Sequence, residues 1–275
     1  MRDSSEIIYQ RISADSKFIK RQLELLNLVF GKNSFSSNFL NWLYHENPNG
    51  NIFGFDAYYR EKLVGHYATI PVYYFYGNRT IKGLLSLNTA THPDFQGMGI
   101  FTRLAKFTYD VAQKEGYNFV IGVSNKNSTY AFINKLDFKL VKPLDVYINF
   151  FTRSHNTKVK INFGGQRNFE FTKWRLSNPK SSYFDCKDMV VSKKYFGLLT
   201  IQVSKNSRVI ELDKCNCIIL LSVGINNHPK SLFSFKLPEF LKPSPLNLII
   251  RSLSTDFAIP NHNEILFENF DFDAF

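Results

Sequence analysis

Apolar side chains recur at helical spacing between residues 16 and 30, where Phe18, Ile19, Leu23, Leu26 and Phe30 fall near one face and Gly31 supplies a stop. This pattern predicts a first helix. A second is predicted over 37–45, ending ahead of Pro48, because the residue before a proline is pushed out of the helical region. The pattern then turns to strict alternation. Strands are expected over 53–59 and 63–76 around a turn at Glu61-Lys62, and another over 80–89 after a turn at Gly77-Asn78. From Phe101 the helical period returns through Leu104, Ala105, Thr108, Val111 and Ala112, and Gly116 closes it. A strand over 117–123, a short helix over 128–135 and a strand over 139–151 complete this half. The class read from the pattern is mixed α/β: an antiparallel meander, then strand, glycine loop, helix, strand, helix, strand.

A charged polar stretch over 153–160 introduces a second half that is richer in strands. Landmarks of the first half return there at one constant offset: Phe39/Phe171, Trp42/Trp174, Asp56/Asp188, Lys62/Lys194 and Gly65/Gly197. Asn47-Pro48 and Asn178-Pro179 match one residue out of step. An ancient duplication accounts for a shared helix-to-strand layout around such landmarks. Two domains are therefore expected, 1–152 and 153–275.

Composition narrows the class. Of 275 residues 44% are apolar and 16% aromatic, enough to build a packed interior. No apolar run is long enough to span a membrane and the first residues lack the apolar stretch of a secretory signal, so the cytoplasm is expected. Cys186, Cys215 and Cys217 lack the spacing of a disulfide framework or a zinc site, and no metal is expected. The net charge of +11 is spread along the chain without a concentrated basic stripe. That distribution suits a small substrate carrying several phosphates better than nucleic acid, which is not expected as a partner.

The candidate chemistry lies between residues 84 and 101. A strand ends at Thr89-Ala90-Thr91, Pro93 stops its pairing, and a loop with Gly97 and Gly99 opens into a helix. Backbone N–H groups at such a junction lack internal partners, and the helix dipole favours an anion there. A tight turn is the plainer reading of two glycines. The longer segment Pro93-Asp94-Phe95-Gln96-Gly97-Met98-Gly99-Ile100, after a strand and before an amphipathic helix, resembles the acyl-CoA signature of the Gcn5-related N-acetyltransferase (GNAT) superfamily. That signature is Gln or Arg, two residues, Gly, one residue, then Gly or Ala. Gln96 and Gly99 match it, and Phe101 replaces the last small residue.

The resemblance implies a mostly antiparallel GNAT-type sheet with flanking helices, followed by a degenerate GNAT-like half. It implies acyl-CoA as co-substrate, held by Thr89, Ala90, Thr91, Gln96, Gly97, Met98, Gly99, Ile100 and Phe101, with Asn125, Asn127 and Ser128 beside the pantetheine. Ile133 stands where the superfamily has its Tyr, and Asp137 where it has Gly before Phe138. In the second half His228-Pro229 matches His92-Pro93, and Leu232, Phe233 and Phe235 fall at the positions of Gln96, Gly97 and Gly99. One acyl-CoA site per chain is expected.

The strand from 84 to 89 carries no Asp or Glu, where many members place a carboxylate base. His66, Asn88 and Thr89 are the catalytic candidates, and an unassisted attack is the alternative. Glu46, His66 and Tyr67 are candidates for the acceptor; a structural His66 and a helix-capping Glu46 remain open as plainer readings. The segments Trp42-x-x-x-x-Asn47-Pro48 and Trp174-Arg-Leu-Ser-Asn-Pro179, with the ending 265–273, resemble a narrower group. These are two-part N-acyltransferases of bacterial surface-polysaccharide (lipopolysaccharide) pathways, acting on nucleotide-linked amino sugars such as a dTDP-3-amino-3,6-dideoxyhexose. That likeness implies an acetyl or short hydroxyacyl donor such as 3-hydroxybutanoyl-CoA, with Trp174, Arg175 and Tyr183 holding base or phosphates. A core Trp174 and a surface Arg175 are the alternative. The rival functions are protein, peptide or small-amine acetylation, and a non-catalytic binding module.

Overall fold

The computed structural model describes residues 6–13, 15, 18–152, 161–181, 183–186, 189–194, 198–203, 219–226, 231–242 and 244–272. The stretch 153–160 and residues Asp188, Gly197, Cys215, Cys217, His228, Pro229 and Asp273 lie outside them. A strand that precedes the first element read from the pattern, β1 (Ile7–Arg11), opens the chain, followed by α1 (Ile19–Phe30) and α2 (Ser37–His45). The meander is β2 (Phe53–Tyr59), β3 (Lys62–Tyr76) and β4 (Arg79–Thr91), and α3 (Ile100–Lys114), β5 (Phe119–Ser124) and α4 (Lys126–Lys135) follow. β1 to β4 pair antiparallel in sequence order, and β5 then joins β4 in parallel.

The single strand expected over 139–151 is two strands, β6 (Lys139–Pro143) and β7 (Asp145–Thr152). The chain changes ladders between them. Pro143 has no N–H to continue a ladder, and the Leu144 N–H instead bonds the Leu246 carbonyl at 2.7 Å. The second half holds β8 (Phe163–Gly165), α5 (Phe169–Leu176), β9 (Tyr183–Cys186), β10 (Met189–Lys194), β11 (Leu198–Val203), β12 (Ile219–Ile225), β13 (Ser231–Lys236), β14 (Asn247–Ser252), β15 (Ile265–Glu268) and α6 (Asn269–Phe272). β7 pairs with β12 and β13. β14 returns to the first half and lies antiparallel between β5 and β6. The far end of the long β3 pairs with β8, and β8 with β15, so one hydrogen-bonded sheet runs through both halves.

The repeated landmarks meet face to face. Trp42 on α2 and Trp174 on α5 stack with centroids 4.6 Å apart and planes at 15°. Each indole N–H donates to the other residue's carbonyl, at 2.8 and 3.0 Å, across a separation of 132 residues. Their helices begin alike. The Ser36 side chain accepts from the Phe39 N–H and caps α2, while Asn168 accepts from the Phe171 N–H and caps α5. Asn47 and Asn178 then turn the chain with the same side-chain bond, accepting from the N–H groups of Asn49 and Lys180. Residues at matching positions of the two helices thus make reciprocal contacts.

Two apolar layers flank the first-half sheet. One, with Leu26, Leu40, Trp42, Tyr44, Ile70 and Leu85, lies under α1 and α2 and continues into the second half through Trp174, Phe163 and Phe267. The other, with Tyr67, Ile100, Leu104, Tyr109, Phe132 and Phe138, lies under α3 and α4. Among the described residues no helix is long and apolar enough to cross a membrane.

Candidate active site

The glycine loop forms the expected junction. His92 turns the end of β4, its Nδ1 accepting the Asp94 N–H at 3.2 Å, and a single 3-10 turn over Pro93–Phe95 leads to Gln96. The exposed Gln96 amide reaches back to the Thr91 carbonyl at 3.4 Å and braces the loop. Gly97 and Gly99 both adopt left-handed φ, 80° and 73°, a region that residues with a Cβ enter only at a cost. An added Cβ at either would meet no atom within 4 Å, so both face open space. Gly99 is the N-cap of α3, and no side chain caps that helix. The first N–H groups of a 15-residue helix thus have no side-chain cap beside two glycines that face open space, which fits an anion such as a pyrophosphate. Ile100 is buried, Met98 and Phe101 are half-buried, and the Phe101 ring packs edge-on against Tyr67 and Phe132.

Parallel pairing of β4 with β5 runs from Gly83/Phe119 to Ser86/Gly122 and stops, although β4 continues to Thr91 and β5 to Ser124. On its other edge β4 carries a bulge. Ala68 pairs with Leu87 and His66 with Ala90, so Tyr67 faces both Asn88 and Thr89. Asn88 holds φ 44° there. Beyond Ser86 the β5-facing edge of β4 therefore has no partner in β5, beside the uncapped helix. Ser86, Leu87, Asn88, Thr89 and Thr91 are half-buried at this opening, and Ala90 is buried.

The acceptor candidates are not arranged as the sequence suggests. His66 is wholly buried: its Nδ1 lies 2.6 Å from Asp56 Oδ1 and its Nε2 lies 3.0 Å from the Tyr44 hydroxyl. It does not face the opening. Tyr67 is also fully buried, its hydroxyl 2.9 Å from Ser86 Oγ and 2.7 Å from Tyr109 Oη. Burial pushes the Tyr67 phenol up to about 12, against the opposing pull of the Ser86 and Tyr109 hydrogen bonds, so it remains protonated. Glu46 is exposed at the end of α2 and accepts from Asn41 Nδ2 at 2.7 Å.

Trp174 and Arg175 belong to the interface between α2 and α5, with 5% and 1% exposure. The Arg175 guanidinium lies over the Trp174 ring, 4.7 Å from its centroid, and donates to the Asp271 carbonyl at 2.9 Å. Both side chains are buried, so Trp174 is a core residue and Arg175 is no surface charge. Tyr183 is half-buried on β9.

Asn125 caps α4, its Oδ1 accepting from the N–H groups of Asn127 and Ser128, while Ser128 Oγ answers to the Asn125 N–H. Asn125 and Ser128 use their side chains in this cap, while Asn127 contributes its N–H and has an exposed side chain at the end of β5. Ile133 packs into the α3–α4 layer. Asp137 takes φ 53°, so the left-handed position expected of glycine is kept, and its carboxylate pairs with Arg251 of β14 at 3.0 Å. That partner explains the departure from glycine.

The second-half counterpart of the loop is strand rather than helix start. β13 pairs with β7, with Phe233 and Phe235 exposed on one face; the Leu232 side chain lies outside the described residues. A strand supplies no cluster of unpaired N–H groups for a phosphate. Equilibrium dialysis with CoA is expected to give one site per chain, and two equivalent sites would contradict this reading.

Residues 11–141 match the family model described as an acetyltransferase (GNAT) domain. No curated protein matches the chain. Among solved structures it is similar to a GCN5-related N-acetyltransferase from Anabaena variabilis (11% identity, 90% of this chain, 73% of that one, TM-score 0.61). A GCN5-related N-acetyltransferase from Kribbella flavida matches at 10% identity over 91% of this chain and 72% of its own, with TM-score 0.60. Eis1 from Mycobacterium abscessus matches at 9% identity over 90% and 74%, with TM-score 0.58. At such identities the likeness concerns the fold, and it extends over both halves. The glycine loop and the strands that part beside it lie inside the region that matches the acetyltransferase (GNAT) domain model, and this arrangement is consistent with an acyl-CoA-dependent transferase.

Proposed function

We propose that this protein transfers an acetyl or short hydroxyacyl group from acyl-CoA to the amine of a nucleotide-linked amino sugar, by direct attack without a carboxylate base. The carrying observation is the make-up of the opening: Ser86, Leu87, Asn88 and Thr89 line it, none of them a carboxylate. The Asp56 carboxylate lies behind His66 with 2% exposure. A lysine amine, with a pKa near ~10.4, stays protonated at neutral pH and needs a base; an amino-sugar amine is less basic and attacks as it stands. Rate then comes from holding amine and thioester together and from backbone N–H groups at the β4 bulge donating to the developing oxyanion. The net charge of +11 favours an acceptor that carries phosphates.

In this reading the dTDP- or UDP-linked sugar approaches from the side of the second half, and the reaction belongs to surface-polysaccharide assembly on the cytoplasmic side, where acyl-CoA is available. Residues 1–152 serve as the acyl-CoA domain and 153–275 contribute acceptor recognition. Thiol release from acetyl-CoA and 3-hydroxybutanoyl-CoA, measured against dTDP- and UDP-amino sugars, a lysine peptide and a polyamine, tests the proposal. Turnover is expected with a sugar nucleotide. Efficient peptide or polyamine acylation with no response to any sugar nucleotide would overturn it.

A further inference from the structure

Four side chains from four elements form a continuous hydrogen-bonded line from the core to the opening. Asp56 on β2 and His66 on β3 are cross-strand partners, Tyr44 lies at the end of α2, and Asn88 sits in the β4 bulge. The contacts are 2.6 Å from Asp56 Oδ1 to His66 Nδ1, 3.0 Å from His66 Nε2 to Tyr44 Oη, and 2.9 Å from Asn88 Nδ2 to Tyr44 Oη. Asp56, His66 and Tyr44 are 2%, 0% and 0% exposed, and Asn88 is half-buried.

Donor direction follows from the innermost contact. A carboxylate only accepts, so the short bond to Asp56 places a ring proton on Nδ1, and in the neutral ring Nε2 then carries the lone pair. Nε2 must then receive the Tyr44 O–H, and the Tyr44 oxygen receives an Asn88 N–H. Burial holds the Tyr44 phenol far above its usual range, against the Asn88 hydrogen bond, and the nearby Asp56 charge adds to the rise, so the O–H is always present to donate. Every donor in the line points inward. The Asn88 amide is thereby fixed with its NH2 toward the core and its Oδ1 left as the acceptor on the outward side.

We propose that Asp56, His66 and Tyr44 are positioning residues for Asn88, whose Oδ1 accepts an N–H of the attacking amine at the mouth of the splayed strands. The inference rests on the N-acyl transfer reading above but not on the acceptor being a sugar. The amine nitrogen forms the C–N bond to the thioester carbon, the C–S bond breaks, and CoA departs as thiolate. The proton shed by nitrogen passes to that thiolate to give the free thiol. Asn88 Oδ1 orients the amine lone pair and stabilises the positive charge that nitrogen carries before losing its proton. The line moves no proton itself. Its function is to hold one amide from flipping, which a lone Asn in an open bulge would do freely.

Two measurements test this. In the free protein at neutral pH, long-range 15N–1H spectra of the His66 ring should show the neutral Nδ1–H tautomer. An Nε2–H tautomer or an imidazolium would reverse the line and overturn the proposal, whatever the acceptor is. Kinetics then use acetyl-CoA with whichever amine is turned over from a dTDP-amino sugar, an aminoglycoside and spermidine. Asn88→Ala is expected to lower kcat by about 100-fold and Tyr44→Phe by about 10-fold, each with unchanged acetyl-CoA affinity in calorimetry. Because Tyr44 acts only through Asn88, the double variant should be no slower than Asn88→Ala alone. Losses that multiply in the double variant would overturn the proposal, as would an effect confined to KM. If the amine turned over is not a sugar nucleotide, the acceptor assignment falls while the relay is still decided on that amine.

Discussion

Gly99→Val is expected to weaken acyl-CoA binding by about 100-fold or more while leaving the fold intact, the loss corresponding to two charge-assisted backbone hydrogen bonds at about 1.5–3 kcal/mol each. The argument has two parts. Gly99 holds φ 73° as the N-cap of α3, and a β-branched residue there is forced either into strain or into a different φ that re-aims the first N–H groups of the helix. The space into which the new side chain projects is empty of protein atoms within 4 Å, so nothing in the core is displaced. It is filled at the expense of whatever anion approaches the helix end. Calorimetric titration with CoA and near-UV circular dichroism together read the outcome. A folded variant with unchanged CoA affinity would remove the pyrophosphate site from this loop.

That loop was legible in the sequence because its grammar is local. A strand, a proline, two glycines and an amphipathic helix follow one another within a few turns of chain, and each fixes its neighbour's conformation. The same holds for α2, found at Ser37–His45 as its pattern predicts, and for the meander β2–β4. The tertiary pairings were not legible. β14 reads as any strand with Leu248, Ile249 and Ile250 in a row, and nothing local says that it inserts between β5 and β6. Nor does the run 139–151 show that its two parts serve different ladders; Pro143 was the available signal.

The site divides in the same way. His66, a candidate from its residue type alone, is one link in a line whose other members lie on three further elements. Half of that line could have been read in advance. Asp56 and His66 flank the turn at Glu61-Lys62, and the hairpin register makes them cross-strand neighbours on one face. Tyr44 could not, since the approach of α2 to β3 is set by packing. For Trp174 and Arg175 the sequence leaves two readings open, ligand contact or a core Trp174 with a surface Arg175, because aromatic and guanidinium groups serve both binding sites and interfaces. The reciprocal indole bonds place them in the interface between repeated helices, where they fix α2, and with it Tyr44, relative to the sheet.

Arg167→Met should destabilise the protein by about 3–5 kcal/mol, because it strands two carboxylates in the interior. Arg167 follows β8 and bonds both Glu268 Oε1 and Asp271 Oδ2, the latter at 2.9 Å; its own exposure is 5%, and theirs are 0% and 4%. Asp271 Oδ2 also accepts the Glu268 N–H at 2.8 Å, and the Asp271 carbonyl takes the Arg175 guanidinium. The segment Glu268-Asn269-Phe270-Asp271 thus closes on itself around one arginine. It does so where β8, paired with β3 of the first half, meets β15, paired with β12 of the second. Opposing charges held by the cluster keep Arg167 protonated despite its burial, which by itself lowers its pKa. Arg175, the neighbouring guanidinium, is itself engaged with the Trp174 ring and the Asp271 carbonyl. Urea unfolding of Arg167→Met measures the loss, and Arg167→Met combined with Glu268→Met should recover a large part of it, since one stranded carboxylate is then gone. A single variant within about 1 kcal/mol of the parent would show that the cluster contributes nothing to joining the halves.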